Sequence, residues 1–394
     1  MSASRNPIRG QVVVAGVGFS PLGKNLGRSE LDLTIESARK AIADAGMVAD
    51  DIDGLSAFPD RVGGGVAAGP TLMSVQRALG LRNLNYWQAH SINGVGNLAH
   101  AVSAVYAIAS GGADTVLCFR TVQARALSRQ AKAEARTAAL MWSEEAYTGP
   151  YGAVAGAPRW GLQARRYLHD TGQDETDLAA MVLNNRQMAQ RNPRAVFHGR
   201  SLTLDDYLAS DMISSPLRIL DCDMPVDASV AIVFTTAERA RDLPHPPVAI
   251  EAIAHTPGPD LETHLVDGLA DATAFLGKEL WRKTNLTPAD VDIANVYDGI
   301  SFQALMSLED LGFVPRGSSG SAAKEGYFAA DGTLPVCTDG GQLGAGRYHG
   351  LEKVAETALQ VRGTAGGHQI PGVEVGLAGA SGGSRATAML LTRG

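Results

Sequence analysis

Two stretches of this 394-residue chain are variations on one pattern. "VADDIDGLSAFPD" (Val48–Asp60) and "TPADVDIANVYDG" (Thr287–Gly299) each place an acidic turn before D-I/V-D and then an apolar run. Each is preceded by a β-branched strand, "QVVVAGVGFSPLG" (Gln11–Gly23) or "PVAIEAIAHTPG" (Pro247–Gly258), and by a helical pattern, Glu30–Gly46 or Leu265–Lys283. A repeat of whole βαβαβ units, once in each half, limits the chain to an α/β protein of two similar halves with mostly parallel, two-face-covered strands.

Between the halves the periodicity changes. Helical stretches dominate at Ala124–Leu140, Trp160–Asp170 and Thr176–Arg191, and the strand "ASVAIVFTT" then returns to the first half. The division that follows is residues 1–120 with 216–243 for the first half, 121–215 for a mainly helical insertion, and 244–394 for the second half. Glycine makes up 45 residues in short clusters without a repeat period, which points to tight turns and close backbone approaches.

Charge and cysteine usage narrow the function. The net charge is −7 with no Lys/Arg stripe, so a nucleic-acid partner is not expected. Cys118, Cys222 and Cys337 are too far apart for a zinc site and odd in number for a disulfide framework. No apolar run reaches the ~18 residues of a membrane span, and "MSASRNPIRG" lacks a signal core. The expectation is a cytoplasmic protein.

"SINGVGNLAHAV" (Ser91–Val102) runs from a strand through a Gly-spaced turn into a helix, an arrangement that aims backbone N–H groups at an anion or an anionic intermediate. Enzymes often put a nucleophile there, but this turn holds no cysteine.

With these residues in view, the chain resembles the thiolase superfamily. It is most similar to the nonspecific lipid-transfer protein/thiolase-like branch, and within that to the bacterial steroid side-chain-degrading aldolases. The stretches that carry the resemblance are "VYDGISFQALMSLEDLGFVPRG", "GGQLGAGRYHGLEKVAE" and "SPLRILDCDMPVDASVAIVFTT". It implies two stacked βαβαβαββ halves in a five-layer αβαβα arrangement, with the inserted loop domain between them. The departures are informative. Asn93 stands at the position of the thiolase nucleophilic cysteine, Arg347 at the histidine of Gly-His-Pro with Tyr348 next, and Tyr297 at the His or Asn of the second segment. The second thiolase cysteine falls near Ala380 in "AGASGGSR". A covalent acyl-cysteine is therefore not expected.

The resemblance implies Tyr297 and Tyr348 as the catalytic pair of a retro-aldol cleavage of a β-hydroxyacyl-CoA. That reaction needs a base, an acid and an oxyanion hole. A tyrosine is expected to serve as base if nearby cations, Arg347 among them, lower its pKa. Asn93, Gly382 and Gly383 are the expected oxyanion donors, and His90, Arg347 and His349 the expected binding residues. For each residue a plainer role stands beside this one. Tyr297 reads equally as a strand-end core tyrosine, Tyr348 as a loop aromatic, Arg347 and His349 as helix-entry residues, His90 as a structural histidine, Asn93 and the glycines as turn residues, and Asp298 as a helix cap. The rival reading of the whole is a non-catalytic acyl-CoA or lipid-binding scaffold, with a thiolase-type acyltransferase subunit as a third. No cofactor is expected beyond the coenzyme A thioester substrate. The resemblance also implies a homodimer and a small OB-fold/zinc-ribbon partner of the DUF35 type, together a heterotetramer.

Overall fold

The structure is a computed structural model that describes residues 6–58, 70–90, 98–124, 149–151, 156–256, 272–381 and 386–394. In chain order the elements of the first half are β1 (Val12–Phe19), α1 (Glu30–Asp44), β2 (Gly54–Ala57), α2 (Leu72–Leu79), β3 (Tyr86–Ala89), α3 (Ala99–Ala109) and β4 (Thr115–Val122). The insertion follows with α4 (Gly156–Thr171), α5 (Glu175–Arg191), α6 (Leu204–Leu208) and the hairpin β5 (Met212–Ser214) and β6 (Leu217–Arg218). After β7 (Ala228–Thr236) the second half contains β8 (Val248–Thr256), α7 (Ala272–Arg282), β9 (Ile293–Asn295), α8 (Ser301–Asp310), α9 (Ser319–Lys324), α10 (Gly341–Gly344), α11 (Leu351–Arg362), β10 (Val375–Ser381) and β11 (Ala386–Arg393).

The strands run β3-β2-β4-β7-β1-β8-β11-β10-β9. Outward from the centre, each half repeats one order of directions. β1–β7 and β7–β4 are antiparallel and β4–β2 parallel. Likewise β8–β11 and β11–β10 are antiparallel and β10–β9 parallel. The two halves stack as the resemblance implies, and hydrogen bonding also continues from one half to the other through Val13–Ala249 and Val14–Val248 of β1 and β8. The layering is fivefold. β4 alternates, with Val116 and Cys118 turned to a middle core and Leu117 and Phe119 to an outer one, as a strand covered on both faces must. The outer core lies under α1 and α2, where Ala38, Ala41, Ile42 and Val75 pack. The middle core holds α3 and α11 between the halves, and a third lies under α4, α7 and α8.

The repeated acidic motif has a structural cause. Asp51 accepts the Val48 N–H at 2.8 Å and Asp290 the Thr287 N–H at 2.8 Å, each closing a 3-10 turn. Asp53 takes the Thr115 N–H at 2.8 Å and Asp292 the Val375 N–H at 2.8 Å, each tying down the start of the next parallel strand, β4 or β10. The same two carboxylates thus register the same strand pair in each half. Phe58 and Tyr297 then follow five residues after these second aspartates. α1 sits so close to β1 that a Cβ at Gly16 would lie 2.1 Å from the Ala41 carbonyl oxygen, which is why "VVVAGVGF" carries glycine there.

Within the insertion, α4 and α5 span the two later expected helices. The expected helix at Ala124–Leu140 lies outside the described residues apart from Ala124, which is not in a helix. α6 and the β5–β6 hairpin complete the insertion.

Candidate active site

Tyr297 lies in the turn between β9 and α8. Its ring folds back over Gly299, where a Cβ would come within 2.5 Å of Cε1 and 2.7 Å of the phenol oxygen, so this turn requires glycine. The residue is buried, and its hydroxyl has no hydrogen-bond partner. Burial, then the charge of Asp223, push its pKa well above the ordinary tyrosine value. Tyr348 lies in the glycine-flanked turn between α10 and α11. It is also buried, edge-on to Phe19 with ring centroids 5.9 Å apart, and Arg194 stacks on the same Phe19 ring at 3.9 Å. Burial raises its pKa too. Both rings belong to the middle core. The expectation that nearby cations lower a tyrosine's pKa is thus reversed, because desolvation outweighs Arg347 at Tyr297 and Arg194 at Tyr348. Both phenols are thus held protonated at neutral pH.

The residues flanking Tyr348 are placed individually. Arg347 reaches Asp223 with Nη1–Oδ1 at 3.1 Å. His349 adopts φ +67° and takes a hydrogen bond on Nδ1 from Arg120 Nη2 at 2.6 Å. A guanidinium only donates, so Nδ1 is the acceptor and the imidazole proton sits on Nε2. Burial, with Arg120 and Arg347 nearby, holds the His349 pKa well below its ordinary value, and the ring is neutral. Arg120 also donates to the Phe58 carbonyl at 2.9 Å and lies over the Phe58 ring at 4.4 Å. It joins the turn after β2 to the turn before α11.

His90, just beyond β3, has a buried Nε2 without a hydrogen-bond partner, and burial lowers its pKa. His100, in the first turn of α3, is fully buried with both ring nitrogens unpartnered, and burial followed by Arg120 and His90 hold it neutral. Asn93, Gly382 and Gly383 lie outside the described residues.

Asp298 is not a helix cap; Ile300 occupies that position. Its Oδ1 pairs with Lys353 at 2.8 Å, and its Oδ2 accepts from Asn185 at 2.7 Å and the Leu343 N–H at 3.1 Å. It ties β9's turn to α5, α10 and α11. Two of the three cysteines lie in this region. Cys222 precedes Asp223, and Cys337 Sγ lies 3.8 Å from Lys353 Nζ. None is activated: burial raises all three thiol pKa values, Cys222 to about 12. Among the described residues no three His, Cys, Asp or Glu group to hold a metal.

Three residues of this region escape the sequence reading. Arg120 stands in the otherwise apolar β4, and a charge inside such a strand was the available signal. Glu352, in the first turn of α11, accepts the Gly350 N–H on Oε2 at 2.7 Å, while its buried Oε1 has no partner. Burial pushes its pKa up to about 7. Asp223 is half-buried, and burial pushes it up to about 6 against the opposing pull of Arg347.

Strand order and layering, with two buried tyrosines and no activated thiol among the described residues, define a thiolase-like protein. Residues 265–393 match the family model of the thiolase C-terminal domain. The chain is 36% identical over 366 residues to the 17-hydroxy-3-oxo-4-pregnene-20-carboxyl-CoA lyase of Mycobacterium tuberculosis, covering 91% of this chain and 93% of that protein. It is 34% identical over 368 residues to a steroid side-chain-cleaving aldolase of Thermomonospora curvata, covering 90% and 91%. The solved Ltp2-ChsH2(DUF35) aldolase has a TM-score of 0.87 at 32% identity, covering 98% of this chain and 99% of that one. The chain belongs to the thiolase superfamily, in the branch that contains these steroid side-chain-cleaving aldolases.

Proposed function

We propose that the protein is a carbon–carbon lyase that cleaves a β-hydroxyacyl-CoA, with a steroid carrying the β-hydroxyl, by a retro-aldol reaction. The observation that carries this is the near full-length similarity to the two lyases named above, joined to two buried tyrosines held protonated, Tyr297 at a thiolase His or Asn position and Tyr348 beside the position of the other histidine. In the substrate named for the mycobacterial relative, the 17-hydroxyl is β to the 20-carboxyl thioester. Loss of the hydroxyl proton turns that carbon into a ketone, the Cα–Cβ bond breaks, and its electron pair becomes a thioester enolate. Protonation of the enolate carbon releases a short acyl-CoA. Atoms and electrons balance without a further cofactor.

In this chain one tyrosine contacts the β-oxygen and the other delivers a proton to Cα. Asn93, Gly382 and Gly383 supply N–H donors to the thioester oxygen as it gains charge, where each such donor contributes roughly 3–4 kcal/mol. His349, with its proton on Nε2, is a further donor, and His90 and Arg347 complete the binding site. The partner is a DUF35-type protein, as in the solved aldolase assembly. Two copies of this chain pair through the sheet edge at β3, where Trp87 is 67% exposed on an edge strand and Met73 of α2 is 69% exposed. An exposed apolar edge of this kind is stable in water when covered. The protein works in the cytoplasm, consistent with three unbridged cysteines; no described helix is long and apolar enough to cross a membrane.

The test is product analysis by mass spectrometry after incubation with steroid β-hydroxyacyl-CoAs, with and without a DUF35-type partner. Ketone and short acyl-CoA in equal amounts support the lyase. Tight binding of the thioester without turnover under both conditions makes the protein a binding scaffold.

A further inference from the structure

With both phenols protonated, the site needs another group to accept the proton that leaves the substrate. Segment 222–224 lies between the two tyrosine-bearing turns. The Asp223 N–H donates to the Gly299 carbonyl at 2.9 Å, and Cys222 bridges Ile300. On its other side the Met224 N–H donates to Gln342 at 3.2 Å, and the Met224 carbonyl accepts the Arg347 N–H at 2.9 Å. Asp223 is therefore tied by its own backbone to the residue that the Tyr297 ring covers. Its Oδ1 is held by Arg347, the neighbour of Tyr348.

The geometry points to Asp223 as the positioning carboxylate behind Tyr297, which accepts the phenol proton as Tyr297 takes the proton of the substrate β-hydroxyl. The inference rests on the lyase reading above. The substrate O–H breaks and an O–H forms on Tyr297; the Tyr297 O–H breaks and an O–H forms on Asp223 Oδ2. The alkoxide pair becomes the ketone C=O, and the Cα–Cβ pair becomes the enolate. Tyr348 then protonates Cα, and the proton on Asp223 returns to the Tyr348 phenolate through solvent, restoring the site. The Tyr297 hydroxyl has no hydrogen-bond partner among the described residues, so its contact with Asp223 forms when substrate binds, as catalytic hydrogen bonds commonly tighten then.

Several observations support this role. Asp223 is the foremost charge acting on Tyr297. Its own pKa, about 6, leaves it ionised at pH 7 yet close enough to neutrality to take a proton. The groups acting on it are Arg347 from the turn before α11 and Asp298 from the turn after β9, and the latter is itself paired with Lys353. Cys222 stays a neutral thiol beside it, and Asp221 is engaged by Ser301 at 2.5 Å and Tyr207 at 2.8 Å. Glu352, near 7, acts on both tyrosines and is the other carboxyl able to titrate in the same range.

The experiment compares wild type, Asp223→Asn, Asp223→Glu and Glu352→Gln, each with the partner present, by the pH profile of kcat/KM from pH 5 to 9. Wild type should lose activity below about pH 6 as Asp223 protonates. Asp223→Asn should lower kcat by about 10²–10³, leave KM within about threefold and remove that acid limb. Asp223→Glu should recover at least about a tenth of the lost activity, and Glu352→Gln should keep the limb. A kcat within threefold of wild type in Asp223→Asn, or an acid limb unmoved by it, overturns the proposal. So do equal losses in the Asn and Glu variants. A second reading needs no turnover: the Tyr297 phenol, followed by ultraviolet difference against Tyr297→Phe, should ionise at lower pH in Asp223→Asn than in wild type. No shift there overturns the coupling. Absence of cleavage by wild type itself overturns the lyase reading and leaves this optical test to judge Asp223 alone.

Discussion

Arg120 and His349 come from opposite halves of the molecule and meet at 2.6 Å, the guanidinium of β4 donating to the imidazole Nδ1 in the turn before α11. The contact fixes His349 as the Nε2–H tautomer and keeps it neutral. The ¹⁵N chemical shifts of His349 should therefore show an unprotonated Nδ1 and a protonated Nε2, unchanged from pH 8 to pH 6. Arg120→Met should let the tautomers mix and lower kcat by about tenfold, in the range of lost outer-shell partners. A ring that titrates near 6.5 in wild type would contradict the assignment.

Glu352 sets a second pH dependence. Its folded pKa, about 7, lies above the unfolded carboxylate value of 4.5, so the folded state binds the extra proton. Its contribution is fully present below about 4.5 and is lost as pH rises through 7. Glu352→Gln removes this loss. Measured by urea unfolding, the variant should gain about 2–3 kcal/mol relative to wild type between pH 5 and pH 8.5. Parallel stability curves would show that Glu352 is not held protonated.

The tyrosines should separate chemistry from packing. Tyr297→Phe and Tyr348→Phe should each lower kcat by about 10²–10⁴ with little change in KM. The double variant should be little worse than the poorer single one, because the two act in one turnover. Tyr297 makes no hydrogen bond through its hydroxyl, so its removal should change stability by less than about 1 kcal/mol. Additive losses, or turnover near wild type in either single variant, would remove that residue from the mechanism.

Lys353 and Asp298 are both fully buried and pair at 2.8 Å. Lys353→Met leaves the Asp298 carboxylate buried without its counter-charge and should cost about 3–5 kcal/mol. Adding Asp298→Asn should return part of that loss, since the amide needs no cation. Thermal unfolding of the two variants decides the matter; equal destabilisation of single and double variants would mean that the pair is not the source.

The halves are legible in the sequence because the same two aspartates do the same work twice: Asp51 and Asp290 close turns, and Asp53 and Asp292 anchor the next strand. Tyr297 and Tyr348 are legible through glycine-marked turns and through resemblance. Asp223 and Glu352 are not, because "ILDCDMP" and "GLEKVAE" look like an ordinary turn and an ordinary helix start. Their importance arises from long-range burial, which no local pattern encodes. The helix α8 is obscured for a similar reason. Every residue from Ser301 to Glu309 is buried, the polar Gln303, Ser307 and Glu309 included, because the helix packs against α4 and α5 of the insertion and against α7 and α9. The continuity of the two half-sheets depends on just the β1–β8 pairing, a tertiary contact between strands far apart in the chain.

The central claim is cleavage through a thioester enolate with no acyl-enzyme. It is tested most directly by running the reaction in D₂O, without free coenzyme A, in the presence of the partner protein. The account requires that short acyl-CoA and ketone appear in equal amounts, with one solvent deuterium on the α-carbon of the acyl-CoA. Cleavage that occurs only when free coenzyme A is added, giving a second acyl-CoA in place of the ketone, would contradict it.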